Sequence, residues 1–458
     1  MSDQGLQQAR DKMAAEGVDP VAIEVFAHYY RLLERGETGM VPESTIEPLG
    51  MEALADVEVS EADGVTALGR TAMVKLNGGL GTSMGMDRAK SLLPVRDDLT
   101  FLDVIARQVL ALRRRYDVRL PVLLMNSFRT RDDSLGLLRA YADLADPELP
   151  LDFLQNKEPK LRADDLTPVK WPAEPGLEWC PPGHGDIYTA LRGTGLIDQL
   201  LSAGFTQVFV SNSDNLGAVP DPRVAGWFAA SGAPFAIEAV RRTPSDRKGG
   251  HFARRKDDGR IVLRETAQIL PEDADAFADL DRHRHMSTNN LWFDLAAMQA
   301  ELDRRDGILG LPMIRNSKTV DPADPDSPEV LQIETAMGAA IEVFPGARTI
   351  EVGRDRFVPV KTTNDLLVLR SDCYDLDDDG VLHQVPERIP FVDLDKAYKL
   401  VGDFDRLFPA GAPSLREAAS LEVEGEWTFE ADVRVRGAVR VGPAGSPGRI
   451  GSGTELSG

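Results

Sequence analysis

Four glycines fall within eight positions of Lys75-Leu-Asn-Gly-Gly-Leu-Gly-Thr-Ser-Met-Gly-Met-Asp-Arg-Ala-Lys90-Ser-Leu-Leu-Pro94, where the apolar run Ala72-Met-Val ends. Gly78, Gly79, Gly81 and Gly85 exclude a helix interior or a central strand, because each costs about 1 kcal/mol against alanine in such a place. The stretch is therefore a loop. Glycine lets backbone N–H groups approach a ligand, and Lys90 beyond the loop can meet phosphate charge, so it reads either as a phosphate cradle or as a tight turn. Two familiar nucleotide loops do not fit. The P-loop spacing fails because Gly85 is followed by Met86, and the dinucleotide fingerprint fails because Gly79-Leu-Gly81-Thr-Ser runs into Met84.

The chain has 458 residues, too many for one small core, so a large domain with appendages is expected. A formal net charge of −22 repels nucleic acid. Any anionic ligand must then be met by a few placed cations and backbone dipoles, which favours a small molecule. No apolar run approaches the ~20 residues of a membrane helix, and Met1-Ser-Asp-Gln-Gly has no signal-peptide character, so a cytoplasmic, membrane-free protein is expected. Cys180 and Cys373 stand far apart and suggest neither a disulfide framework nor a thiolate metal site.

Residues 1–70 are expected to be an N-terminal helical segment. Ile23, Phe26, Tyr30 and Leu33 recur at steps of three or four and predict a docking helix followed by a loop segment, in which His28 is a packing or surface residue. From Thr71 short apolar runs alternate with helical stretches, the pattern of a mixed, mostly parallel sheet. Strands are expected at Ala72–Leu76, Pro121–Met125, Gln207–Val210, Pro234–Ala239, Gln332–Glu334, Ala340–Phe344 and Arg356–Val360. Thr100-Phe-Leu-Asp103 has the capping-box arrangement and predicts a helix to about Tyr116. Residues 71–370 form the expected main domain and 371–419 a connecting segment with an amphipathic run near Leu394–Phe408. In 420–458, strict alternation with recurring glycines predicts short strands stacked as a small β-helix, too few to stand alone, ending in a frayed tail.

In open α/β sheets ligands bind outside the carboxyl ends of the strands. After the third run comes Ser211-Asn-Ser-Asp214-Asn-Leu-Gly217, where a lone aspartate suits a divalent cation shared with phosphate or else closes an Asx-turn. In Pro181-Pro-Gly-His184-Gly a rigid loop holds a histidine that either donates to a ligand oxygen or braces the loop. Asn289 and Asn290 begin a strand, where amides can read hydroxyls or simply leave a loop. An isolated Lys361 reads as a solvated charge. The pair His283-Arg-His285 matches a metal spacing only loosely.

Together these stretches resemble the UDP-glucose pyrophosphorylases, or UTP–glucose-1-phosphate uridylyltransferases, of the eukaryotic type. The resemblance spans about residue 71 to Asp372 plus the tail. It rests on Lys75–Pro94, Leu124-Met-Asn-Ser, Gln155-Asn-Lys, Pro181–Tyr188, Val210–Gly217, Lys248-Gly-Gly, Glu265-Thr-Ala-Gln, Thr288–Trp292, Asn316-Ser-Lys-Thr, Gln332–Ile341 and Phe357–Leu367 in the family's order. It implies a Rossmann-like mixed α/β sheet of the nucleotide-diphosphate-sugar transferase type with a small C-terminal left-handed β-helix. It further implies that UTP and glucose-1-phosphate become UDP-glucose and pyrophosphate. Leu80, Gly81 and Thr82 would hold UTP, and Met125, Gln155 and Gly183 would surround the uracil. His184, Asn212, Glu265, Asn289 and Asn290 would line the sugar-phosphate site, and Asp214 would bind Mg²⁺. Lys90 and Lys361 would stabilise the reacting phosphates. A homo-oligomer formed through the C-terminal segment is also implied. The competing readings are a uridylyltransferase for other sugar-1-phosphates and a non-catalytic nucleotide-sugar-binding protein.

Overall fold

The strand Thr71–Asn77 is buried at every position but Leu76 and has a parallel neighbour on each side. Such a strand needs apolar side chains on both faces, which is why its run reads as continuous rather than alternating. Ala72 and Val74 enter one core with Leu123, Met125, Val208 and Val210. Met73 enters the other with Val122, Leu124 and Phe209, so the period of two divides the run between opposite faces.

The computed structural model describes residues 2–96, 98–243, 246–247, 249–322, 324–442 and 447–458. Lys248, part of one of the resembling stretches, lies outside them. The main sheet runs in the order Glu52–Ala53, Arg348–Glu351, Phe235–Arg241, His285–Asp294, Gln207–Asn212, Thr71–Asn77, Val122–Asn126, Asp152–Leu154. His285–Asp294 is antiparallel to both neighbours, and the other pairs along this order are parallel. The α/β mixed sheet expected from the sequence is thus present. Asn77, Asn126, Leu154 and Asn212 end four parallel strands on one edge, and the loops leaving that edge build the site. The helix Phe101–Tyr116 starts on the Thr100–Asp103 capping box.

Several expectations are corrected. Ala340–Phe344 is no strand: Met337–Glu342 forms a 3₁₀ turn, where Gly338 lies so close to Leu263 that a Cβ would stand 2.7 Å from its Cδ2. Small residues there favour a tight turn over a ladder. Arg356–Val360 follows a 3₁₀ turn and makes only the isolated bridge between Pro359 and Asn215, since proline has no N–H for a ladder. Gln332–Glu334 does lie in a strand, Glu329–Thr335, but in a separate sheet with Met313–Thr319 and Leu161–Arg162.

The N-terminal segment contributes more than a helix and a loop. Two helices, Ser2–Ala15 and Pro20–Glu34, share a core of Leu6, Met13, Phe26, Tyr30 and Leu33. Beyond them Ile46–Pro48 pairs with His251–Arg255, and Glu52–Ala53 pairs with Arg348–Glu351.

At the other end, Phe391–Leu394, Ser414–Val423, Arg434–Val441 and Glu455–Ser457 pair in parallel, as do Trp427–Phe429 and Gly448–Ile450. Parallel pairing requires the chain to cross back between one strand and the next. Leu415, Leu421, Val423 and Phe429 pack in one core with Phe101, Val104, Leu366 and Leu367, so these strands pack against the helices Phe101–Tyr116 and Thr363–Arg370. The tail is not frayed, because Glu455–Ser457 is held by Arg434–Arg436. Cys180 and Cys373 are buried and free. Among the described residues no helix is long and apolar enough to cross a membrane.

Candidate active site

Gly81 and Gly85 have φ of +64° and +77°, a left-handed backbone that turns the loop back twice within five residues. Lys90 N then donates to Gly79 O at 3.0 Å, closing the loop onto its own beginning. Leu80 and Gly81 are half-buried and Thr82 is exposed at its rim. Gln155 lies against this loop: a Cβ on Gly78 would stand 2.7 Å from Gln155 Oε1. Its own backbone N–H is anchored on Asn126 O at 2.8 Å.

Lys90 turns its ammonium to the neighbouring strand end. Its Nζ donates to Asp214 Oδ2 at 2.6 Å and to Val360 O at 2.5 Å. Asp214 is held there from both sides, since Ser213 N and Oγ both donate to Leu76 O and Val360 N donates to Asp214 O. Lys361 therefore follows directly upon a residue that touches the Lys90 ammonium. Its backbone N–H and that of Thr362 donate to Asp365 Oδ2, each at 2.8 Å, while its side chain is exposed. The Lys361 charge acts on Glu265, drawing its carboxyl down, although burial prevails and leaves it raised. Asn212, half-buried, ends the same strand that delivers Asp214.

His184 is fixed by a backbone contact that also assigns its proton. Met337 N donates to His184 Nδ1 at 3.0 Å, so the hydrogen resides on Nε2 and that nitrogen is a donor. Burial pushes its pKa down to about 4, which keeps the ring neutral. Asn289 has φ of +57° at an irregularity in the pairing of His285–Asp294 with Phe235–Arg241. Its Oδ1 would lie 3.9 Å from a Cβ on Gly338, next to the Met337 that holds His184.

Two of the nominated residues face inward. Met125 is 2% exposed and belongs to the core under the sheet edge. Asn290 is fully buried, and its Nδ2 donates to Glu238 Oε2 at 3.0 Å and to Arg356 O at 3.3 Å. Behind the site, Glu238 also accepts Trp292 Nε1 and both Nε and Nη2 of Arg356, at 2.9, 2.7 and 2.6 Å. Asn215 joins this network to the strand end: its Oδ1 accepts Val358 N at 2.8 Å and its Nδ2 donates to Arg356 O at 3.2 Å. Lys75, buried beneath, donates to Ala218 O and has its pKa pushed down to about 7 by burial. A glutamate in the middle of the apolar run Phe235-Ala-Ile-Glu-Ala-Val was the available sequence signal for this network.

His283 and His285 part company. His285 Nε2 meets Glu351 at 2.7 Å, whereas His283 groups with His251 and Glu43. Glu43 already takes Arg264, Arg282 and His283, at 2.5, 2.6 and 3.0 Å. The two imidazoles stack 3.7 Å apart, so their ring-plane lone pairs run alongside each other instead of converging. This group is an ion-pair lock between residue 43 and the strand edge.

A mixed sheet with a glycine loop, placed lysines and an aspartate along one edge defines an α/β protein of the nucleotide-sugar transferase class. The family model described as UTP–glucose-1-phosphate uridylyltransferase matches residues 23–436. The chain belongs to that family. It is 37% identical over 395 residues to the UTP–glucose-1-phosphate uridylyltransferase of Solanum tuberosum, covering 85% of this chain and 80% of the relative. The Saccharomyces cerevisiae protein of the same name is 38% identical over 383 residues, covering 83% and 75%. Among solved structures, a UDP-glucose phosphorylase from Trypanosoma brucei superposes with a TM-score of 0.93 at 41% identity, covering 99% of this chain and 98% of that one. A substituted UDP-glucose pyrophosphorylase from Leishmania major, in complex with UDP-glucose, gives 0.92 at 40% with the same coverage.

Proposed function

We propose that this chain is a nucleotidyltransferase that joins UTP and glucose-1-phosphate into UDP-glucose and pyrophosphate. A phosphate oxygen of the sugar phosphate attacks the α-phosphorus of UTP in line, a new P–O bond forms, and the bond to the departing pyrophosphate breaks. The attacking group is already an anion at neutral pH, so catalysis reduces to positioning and charge stabilisation. Leu80, Gly81 and Thr82 receive the nucleotide through loop amides. Gln155 and Gly183, with Met125 beneath, enclose the uracil. His184 through its Nε2–H, with Asn212, Asn289 and Glu265, faces the sugar phosphate, and Asn290 supports Asn289 from behind. The observation that carries this reading is the Lys90 ammonium, held between Asp214 and Val360 at the mouth of the glycine loop. With Lys361 it supplies positive charge where two anions must meet, in a chain of net charge −22.

Asp214 offers only oxygen, and Lys90 engages Oδ2 alone among the described residues. One carboxylate beside a phosphate cradle fits Mg²⁺, which takes one or two protein carboxylates and completes its shell with phosphate and water. When bound there it would neutralise phosphate charge. The same reading takes the C-terminal coils as a left-handed β-helix over 420–458, joined by 371–419 to a catalytic domain over 71–370, with 1–70 as the N-terminal segment. It places the protein in the cytoplasm as a homo-oligomer formed through the outer coils.

The deciding experiment is pyrophosphate release from UTP with Mg²⁺ and a panel of sugar-1-phosphates. Glucose-1-phosphate is expected to be the best substrate. A better substrate elsewhere in the panel would reassign the specificity to another sugar. UDP-glucose binding in a calorimeter, without turnover in either direction, would mark a binding protein instead.

A further inference from the structure

Two loops that arrive from different parts of the chain are joined by one buried carboxylate. Asp186 Oδ2 accepts Asn156 N at 2.6 Å, and Asp186 Oδ1 accepts Asn156 Nδ2 at 2.8 Å. Asp186 is 5% exposed and has no cationic partner among the described residues. An aspartate at the start of a helix ordinarily caps it, but the side chain of Asp186 makes no capping bond to the helix Ile187–Gly193. Burying a carboxylate with neither a cation nor a capping bond to offset it is unfavourable, and burial pushes the Asp186 pKa up to about 7. A neutral residue would close this turn at lower cost, so local folding does not account for it.

What the carboxylate does achieve is a fixed spacing. Asn156 directly follows Gln155, whose amide lies against Gly78 of the glycine loop. On the other side Asp186 N donates to Gly183 O at 3.3 Å, so Asp186 closes the turn that contains Gly183 and His184. That turn is in turn seated on Thr335, whose N donates to Pro182 O at 3.0 Å. Two N–H bonds from Asn156 to one carboxylate tie the two loops together at two points.

We propose that Asp186, acting through Asn156, is a positioning residue that sets the gap between Gln155 and Gly183 into which the nucleotide base fits. This rests on the reading that those two residues enclose the uracil. Neither Asp186 nor Asn156 touches a reacting atom in this scheme, so the effect falls on UTP binding and not on the chemical step.

The test is steady-state kinetics with each substrate varied in turn, together with calorimetric titration of UTP, on wild type, Asp186→Leu, Asn156→Ala and Gln155→Ala. Asp186→Leu keeps the volume but removes both acceptors, so no turn of the Asn156 amide can restore the bonds. It is expected to raise KM and Kd for UTP about tenfold, as leaving buried donors unpaired does. KM for glucose-1-phosphate and kcat should stay within about threefold of wild type. Asn156→Ala, which keeps the backbone bond, is expected to show the same selectivity with a smaller rise and covers the case that Asp186→Leu does not fold. An equal loss for both substrates, or unchanged UTP binding in both variants, would overturn the proposal. Gln155→Ala tells failure of the clamp from failure of the uracil assignment. If it raises KM for UTP while Asp186→Leu and Asn156→Ala do not, only the clamp is wrong. If it leaves KM for UTP unchanged, the uracil assignment fails and the clamp falls with it.

Discussion

Lys90 and Asp214, 124 positions apart in the chain, meet at 2.6 Å with their side chains only 18% and 22% exposed. An ammonium carries three N–H donors, and Asp214 and Val360 take two of them. The third can serve a phosphate oxygen without either protein bond being broken, so the charge is fixed in place before the phosphates arrive. Lys90→Ala is expected to lower kcat on the order of a hundredfold or more, by analogy with the removal of one transition-state donor. Pyrophosphate release at saturating substrates measures this, and near-normal turnover would remove Lys90 from the chemistry.

Lys361 offers a cleaner experiment, because its backbone and side chain do separate jobs. Asp365 holds the Lys361 N–H as part of the start of the helix Thr363–Arg370, while the ammonium is exposed. Lys361→Ala keeps the backbone bond, so the thermal midpoint should stay within about 2 °C of wild type, as for a surface substitution outside the core. Its kcat should again drop about a hundredfold if the side chain meets the reacting phosphates. A fall in activity matched by a fall in thermal midpoint would instead assign Lys361 a structural role.

The sequence shows the sheet edge because an edge is a local matter. An apolar run followed by glycine, asparagine or aspartate is read from a few adjacent residues, and Asn77, Asn126, Asn212 and Asp214 all stand where such a reading puts them. What it does not show depends on partners far along the chain. Ala340–Phe344 is apolar enough for a strand, yet its near approach to Leu263 selects a tight turn. Asn290 looks like a ligand-facing amide until Glu238 and Arg356 are seen to use its donors. The proton of His184 is likewise decided by Met337, 153 residues away. Asp186 sits in full view in Gly-His-Gly-Asp, but its partner Asn156 does not announce itself.

The neutral His184 ring has a consequence for stability against pH. Its folded pKa of about 4 lies below the ordinary value of 6.5, so between these values the unfolded chain holds a proton that the folded protein refuses. The stability this residue contributes is present above pH 6.5 and is lost as pH falls toward 4. In His184→Asn nothing titrates at that position. The difference in unfolding free energy between wild type and variant should therefore shrink steadily from pH 7 to pH 5 in urea titrations. A difference that stays constant over this range would mean that the ring is not kept neutral.

Glu238 and Arg356 form a buried pair at 0% and 8% side-chain exposure, joined by two hydrogen bonds. Removing one partner leaves the other charge buried and unmatched, which typically costs ~3–5 kcal/mol. Glu238→Ala and Arg356→Ala should each destabilise by about that amount in urea unfolding. Glu238 also holds Asn290 and Trp292. The double variant Glu238→Leu, Arg356→Met is therefore expected to recover much of the stability while activity stays low. Recovery of both together would show that the network supports the fold without positioning the site.

Gly183 combines two constraints that Gly195 does not share. Its φ of +78° disfavours any L side chain, and a Cβ there would stand 2.6 Å from Thr335 O and 2.8 Å from Thr335 N. Those atoms belong to a backbone that is itself bonded to Pro182 O at 3.0 Å, so they cannot step aside without breaking that bond. Gly195 has a similar φ of +69° but a ψ of 15°, a left-handed backbone that other residues can enter, whereas ψ at Gly183 is 174°, a region essentially confined to glycine. An added Cβ at Gly195 has only Gln199 Nε2 near it, at 3.9 Å. Gly195→Ala should show the cost of a left-handed backbone alone, about 1 kcal/mol, with both KM values unchanged. Gly183→Ala should cost more, about 2–3 kcal/mol, because the glycine-only backbone and the clash both add to it. The loop from Pro182 to Gly185 would have to lift away from Thr335, carrying Gly183 out of the base site and loosening the contact between His184 and Met337. KM for UTP is therefore expected to rise in Gly183→Ala alone, as read by kinetics with UTP varied at saturating glucose-1-phosphate. Equal behaviour of the two alanine variants would mean that neither the glycine-only backbone of Gly183 nor its close approach to Thr335 governs nucleotide binding.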